Sequence, residues 1–196
     1  MQVKTTELSK TDIYKIVSQS VIPRPIAWIV TEDEGIVNIA PFSYFIPLSS
    51  EPATLLVSVG HKSDGTPKDT LANLRKHGKC VVCMVEKNNL KAMHFSSKPL
   101  GHEESEAETF GIRTERIEAE YPPMVADSPV AFFCSLMQEV PIGGSTVPLV
   151  LEVQEIYIAD RVLSDAERLS IAYDPVARVG KAYALCGETI EPPHIP

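Results

Sequence analysis

A phosphate monoester is held by backbone N–H groups and positive charge, and the first turn of a helix supplies both. The stretch Ser63-Asp64-Gly65-Thr66-Pro67-Lys68-Asp69-Thr70 carries residues for such a seat. Thr66 suits an N-cap, Pro67 the first helical position and Asp69 the third, so the pattern predicts a helix over residues 67–77. Lys68 adds a full charge, and Ser63 and Thr70 add hydroxyl donors. Leu71 and Leu74 give the helix a buried side, and Gly78 stops it, with Lys76 and His77 placed to meet the last carbonyls. Taken alone, the same residues also describe a well-capped surface helix with a solvated Lys68, and caps of this kind are common.

Two further segments have the types needed to hold a flat ring. Asn38-Ile39-Ala40-Pro41-Phe42-Ser43-Tyr44-Phe45 places aromatic surface and turn donors after a strand, where a ring system could stack on Tyr44 or lie along the backbone. It reads equally as a bulged core strand. Pro23-Arg24-Pro25-Ile26-Ala27-Trp28 sets one arginine between two rigid residues, as a ligand contact or a surface cation. Cys80-Val81-Val82-Cys83 spells a redox or metal pair, but in a strand residues three apart point to opposite faces, so both cysteines read as small buried hydrophobes. The five histidines lack ligand spacing, and no metal is expected.

These residues must be positioned by a mainly β chain with a few short helices. Ser9 caps a short helix over about residues 10–20, with Asp12 at its third position and Ile13, Ile16 and Val17 as its apolar stripe. Ile26 to Thr31 reads as a buried strand that turns at Glu32-Asp33-Glu34-Gly35 into a second arm. Further strands are expected at Thr54–Val59, Cys80–Val85, Val130–Val140 and Val147–Ala159. In the last of these, Leu149, Leu151 and Val153 alternate, then Ile156 and Ile158 resume out of phase. A β-bulge at Gln154-Glu155 would restore the inward face, as a closed sheet often requires. Strands that do not alternate regularly with helices favour a barrel over a doubly wound sheet.

With 196 residues and 44% hydrophobic composition, a single domain over residues 1–196 with one substantial core is expected. A net charge of −8 argues against a polyanion-binding surface, and so against nucleic acid. No apolar run approaches the roughly 20 residues needed to span a bilayer, no secretory signal opens the chain, and four cysteines form no disulfide framework, so the expected location is the cytoplasm. The tail Glu191 to Pro196 is expected to be extended.

Pro23-Arg24-Pro25-Ile26-Ala27-Trp28, Asn38 to Phe45, and Lys68-Asp69-Thr70 with Asn73, in that order and spacing, resemble the flavin reductase-like family. The likeness continues through Ser105-Glu106, Phe110-Gly111 and Arg178-Val179-Gly180, and so covers nearly the whole chain. The resemblance implies an FMN-binding split β-barrel, usually a homodimer with non-covalent flavin near the subunit interface. It implies cofactor contacts at Asn38, Ala40, Pro41, Phe42, Ser43, Tyr44, Ser58, Gly60, Lys68 and Thr70, with Arg24, Asp69 and Arg178 as further candidates. It singles out no catalytic residue.

The activity implied is reduction of bound FMN by NAD(P)H and onward transfer to free flavin, oxygen, a ferric complex or a partner protein such as a monooxygenase. Two departures bear on it. Gly143-Gly144-Ser145 stands where many such reductases have Gly-Asp-His before a late strand, and Lys181 stands where a second glycine is common. An FMN electron carrier that does not use NAD(P)H, or an interaction domain without flavin, are the competing expectations.

Overall fold

The computed structural model describes residues 2–192. Residues 193–196, most of the expected extended tail, lie outside the described part. Near the N-terminus local chemistry sets the elements. Ser9 caps α1 (Lys10–Ser20) by accepting the Asp12 N–H at 3.1 Å. The hairpin of β1 (Ala27–Asp33) and β2 (Ile36–Phe42) turns through Glu34 and Gly35, with φ of 49° and 84°, a pair of positive values that matches the twist of the two strands.

The chain continues through β3 (Phe45–Ser50), β4 (Ala53–Gly60), α2 (Asp69–His77), β5 (Lys79–Cys83), α3 (Leu90–Phe95) and α4 (Glu106–Phe110). The short pair β6 (Thr114–Glu115) and β7 (Met124–Val125) precedes the long strands β8 (Val130–Glu139) and β9 (Thr146–Ile158). Two further short pairs follow, β10 (Leu163–Asp165) with β11 (Ser170–Ile171), and β12 (Val176–Val179) with β13 (Ala182–Leu185). Among the described residues no helix is long and apolar enough to cross a membrane.

Seven strands form one antiparallel sheet in the order β2-β1-β5-β8-β9-β4-β3. Its two edge strands, β2 and β3, are consecutive in the chain and separated only by Ser43 and Tyr44. The sheet must therefore curl until its edges approach, and Ser58 N–H donates to Tyr44 O at 2.9 Å, extending the β3–β4 ladder into the bend. The result is a split β-barrel. One buried cluster draws on every strand of the sheet, including Ile29, Phe42, Phe45, Val57, Val82, Cys134 and Leu149, and on Leu71 and Leu74 of α2, so it is the barrel interior. A second cluster, with Trp28, Val30, Ile39, Cys83, Met93 and Phe133, lies on the opposite face of β1, β2, β5 and β8 beneath α3 and the connecting segments. Cys80 belongs to the first cluster and Cys83 to the second, as strand alternation requires.

The phase slip in β9 is a bulge. Phe133 pairs with Glu155 while its neighbour Cys134 pairs with Val153, leaving Gln154 as the extra residue. Two expectations of burial fail beside these successes. Ile156, beyond the bulge, remains 55% exposed although it still pairs with Phe132. The apolar stripe of α1 is also largely bare: Ile13 is half-buried, but Ile16 and Val17 are 49% and 39% exposed, with no cover among the described residues.

Candidate functional site

Helix α2 starts later than its sequence suggests. Thr66 does not cap it: the Asp64 carboxylate accepts both the Thr66 N–H, at 2.9 Å, and its hydroxyl, at 2.6 Å. That local ring engages Thr66 before a helix could, and Pro67 instead makes a bridge to His61. Lys68 takes the N-cap position with extended dihedrals and no side-chain cap, and Asp69 is the first helical residue. Leu71 N–H donates to Lys68 O at 2.9 Å, and the Asp69 and Thr70 N–H groups have no partner among the described residues. The Asp69 carboxylate accepts from Lys62 Nζ at 3.0 Å and His102 Nδ1 at 2.9 Å. Burial opposes its ionisation, but these two hydrogen bonds outweigh it and hold the carboxyl below its ordinary pKa. At the other end Gly78 closes the helix in the left-handed conformation. Lys76 and His77 reach Asp33 of the β1–β2 tip, each at 2.7 Å, rather than the terminal carbonyls, because a full anion stands within range.

In front of this turn is a cavity of about 480 Å³ with three walls. Asn38 and Ala40 to Phe42 supply one, His61 to Asp64 and Lys68 to Thr70 a second, and Ser96 to Leu100 with Glu106 the third. A buried amide and hydroxyl network locks the first wall to the second. Asn38 Nδ2 donates to Thr31 Oγ1 at 3.1 Å and to Thr70 Oγ1 at 3.0 Å, and Asn73 Nδ2 donates to Thr31 Oγ1 at 3.1 Å. All four side chains are buried, so each donor depends on its partner. The third wall is pinned by Trp28 Nε1, which donates to Ser96 Oγ at 2.9 Å. It is pinned again at the free edge of β2, where Ser105 Oγ donates to Val37 O at 2.7 Å and Glu106 Oε2 accepts the Ile39 N–H at 2.9 Å. Burial raises the Glu106 pKa above its ordinary value.

The sequence candidates divide between two places. Asn38, Ala40, Pro41, Phe42, Lys68, Asp69 and Thr70 share the cavity. Arg24, Ser43, Tyr44 and Ser58 instead line a groove of about 290 Å³ on the far side of the β2–β3 bend, walled by Val17 and Val21 of the α1 region and Ile46 of β3. There Arg24 is buried, and its guanidinium donates to the carbonyls of Ser18 and Val21, closing the end of α1. Tyr44 stacks on Tyr14 with ring centroids 6.2 Å apart, and Arg24 lies 5.7 Å from the Tyr44 ring. Gly60 and Arg178 line neither space: Gly60 pairs with Thr146, and Arg178 bridges Arg24 through the backbone and packs 4.8 Å over Tyr183.

Residues not singled out as contacts from the sequence also wall the cavity, chiefly His61, Lys62, Lys98 and Glu106. Glu106 stood inside a resembling motif, but nothing local marks it as a cavity residue, since its place follows from the pairing of α4 with the edge of β2. Among the described residues no group of three or more His, Cys, Asp or Glu side chains is arranged to hold a metal ion.

The family model for the flavin reductase like domain matches residues 19–174. An uncharacterized protein of Halalkalibacterium halodurans is 37% identical over 196 residues, covering 96% of this chain and 94% of the relative. In structure the chain is similar to nitrilotriacetate monooxygenase component B from Bacillus cereus, with a TM-score of 0.88, 29% identity, and coverage of 97% of this chain and 98% of that one. It is also similar to 2-nitrobenzoate 2-nitroreductase of Pseudomonas fluorescens, with a TM-score of 0.89, 25% identity, and coverage of 100% and 96%. The matched span runs through every strand of the barrel and through the strand and helix that wall the cavity, and the chain therefore belongs to the flavin reductase-like family.

Proposed function

We propose that this protein is a cytoplasmic FMN-binding oxidoreductase, an NAD(P)H-dependent flavin reductase that holds FMN non-covalently in the cavity before α2. The observation that carries the reading is Lys68. It stands beside the Asp69 and Thr70 N–H groups, which have no partner among the described residues, makes no ion pair among the described residues, and lies 5.7 Å over the Phe42 ring. A free cation, a helix start and an aromatic face in one cavity fit a ligand with an anion at one end and a flat ring at the other. The volume falls within the roughly 300–1,000 Å³ usual for small-molecule sites. Lys68 and the first-turn N–H groups would hold the phosphate, Ser63 could add a hydroxyl, and Ala40 to Phe42 would lie along the ring.

The redox chemistry, hydride acceptance from a nicotinamide and onward passage of electrons, is that of bound FMN. The protein's share is to position and to exclude water. His61 supports a nicotinamide-dependent reading. It meets the Gly143-Gly144-Ser145 turn, which itself lacks a histidine, with its N–H and its Nδ1 each 2.9 Å from Ser145 O. A ring nitrogen facing a carbonyl must carry the proton, so Nε2 of the neutral ring is left as an acceptor at the cavity wall.

The groove supports a homodimer. Val17, Val21 and Ile46 on its walls are 39%, 60% and 49% exposed, and a second copy seated there would remove this apolar surface from water. The similarity to a monooxygenase component supports a partner monooxygenase as one acceptor.

Purified protein with flavin absorbance, or one that takes up added FMN, is the expected result. A colourless protein that binds no FMN rejects this reading and leaves the interaction-domain alternative. Stopped-flow mixing of the flavin-loaded protein with NADH and NADPH is expected to bleach the flavin with at least one of them. Failure with both at millimolar concentration would leave an electron carrier instead.

A further inference from the structure

Glu106 is a buried carboxylate in a cavity whose other charged walls carry Lys62, Lys68 and Lys98 beside Asp64 and Asp69. It is 7% exposed, its Oε2 accepts the Ile39 N–H at 2.9 Å, and among the described residues no other side chain donates to it. The fold explains only half of this group. Together with Ser105, Oε2 covers the free edge of β2 at Val37 and Ile39, which protects that edge from pairing. The second oxygen, Oε1, has no such duty, yet Glu106 lines the cavity with Lys68 and Thr70. Burial raises its pKa, and the nearby charges of Asp69 and Glu104 act in the same direction. A carboxylate held there at a cost to its solvation calls for a hydrogen-bond donor.

We propose that Glu106 is a positioning residue for the polyol chain of the flavin, accepting a hydrogen bond from a ribityl hydroxyl through Oε1. This rests on the flavin reading above. Its place along β2 selects the hydroxyls over the other parts of the ligand. Glu106 is anchored at Ile39, one residue from Asn38, which bonds Thr70 in the first turn of α2. The carboxylate is therefore next to the phosphate seat and would repel a phosphate placed against it. Ala40 to Phe42 continue the cavity wall beyond Ile39 along the same strand and offer the surface for the ring. Between a phosphate and an isoalloxazine the ligand presents only hydroxyls, which donate well to a carboxylate. The cover of the β2 edge also ends at Ile39, and Pro41 has no N–H to leave unpaired, so the edge beyond is bare backbone along which the chain can lie.

The test measures binding of FMN, riboflavin and lumiflavin, which lacks the hydroxyls, to the apoprotein by fluorescence quenching, for the native chain, Glu106→Ala and Glu106→Gln. Glu106→Ala is expected to weaken FMN and riboflavin equally, by about tenfold, the worth of one charge-assisted hydrogen bond, and to leave lumiflavin unchanged. Glu106→Gln keeps an acceptor for Ile39 and safeguards the experiment should the alanine variant unfold; it is expected to show the same pattern with a smaller loss. Equal loss of all three ligands would reduce Glu106 to an edge cover and overturn the proposal. Tighter FMN with unchanged riboflavin would place the carboxylate against the phosphate and overturn it as well. A native chain that binds none of the three rejects the flavin reading itself.

Discussion

The cavity before α2 and the groove beside α1 lie on either side of one bend, at Ser43 and Tyr44, and are built on opposite principles. The cavity is polar, and its walls are cross-braced within one chain by the Thr31, Asn38, Thr70 and Asn73 network and by Trp28 on Ser96. The groove is apolar and open, and among the described residues nothing covers Val17, Val21 and Ile46 on its walls, which remain 39%, 60% and 49% exposed. Buried polar groups demand specific partners and so must be completed inside the fold, whereas an apolar face can be completed by any matching surface. One chain can finish the cavity alone, while the groove awaits the second copy proposed above.

The sharpest way to break this contrast is to charge the groove. Ile46→Glu with Leu48→Glu is expected to weaken self-association by about 100-fold or more, since two carboxylates would be buried without partners, while the circular dichroism of the monomer stays native. Sedimentation that shows an unchanged oligomer would remove the groove from the interface. Thr31→Val probes the bracing of the cavity. It strips the acceptor from Asn73 Nδ2 and one of two from Asn38 Nδ2, and is expected to cost about 2 kcal/mol, seen as a Tm lowered by several degrees with dimerisation unaffected.

Lys68→Ala should leave the Tm alone and weaken FMN roughly tenfold while sparing riboflavin, because only the phosphate loses a charged contact. Equal loss of both ligands in a titration would move the phosphate elsewhere. The smallest effect is confined to acid. Asp69 has a lowered pKa in the fold, so its stabilising share is fully present above the unfolded carboxyl value of about 3.9 and is lost as pH falls through the lower folded value. Asp69→Asn is expected to flatten that acid limb of the stability curve; a limb as steep as before would show that Lys62 and His102 do not hold the carboxylate in solution.

Much of the fold was legible because its signals are local. The Ser9 cap, the Glu34-Gly35 turn and the Gln154 bulge each depend on a few adjacent residues whose conformational preferences or alternation leave one good solution. The start of α2 was misread for a reason of the same scale. Thr66 and Pro67 are held outside the helix, Thr66 by the Asp64 carboxylate and Pro67 by its bridge to His61. Burial was harder to read. The stripe of α1 has the periodicity of a core face, but periodicity does not say whether the covering surface belongs to the same chain.

By itself, then, the sequence determined the mainly β barrel, the Ser9 cap of α1 and the helix start that brings Lys68 and Thr70 together, since residue types and short spacings suffice for these. Only the tertiary structure decided that Tyr44 and Ser58 face a different space from Lys68, that Arg24 closes α1, and that Glu106 joins the cavity from 67 residues away in the chain at Ile39. Those facts depend on how a curled sheet brings its edges and the connecting helices together, and no local preference encodes that.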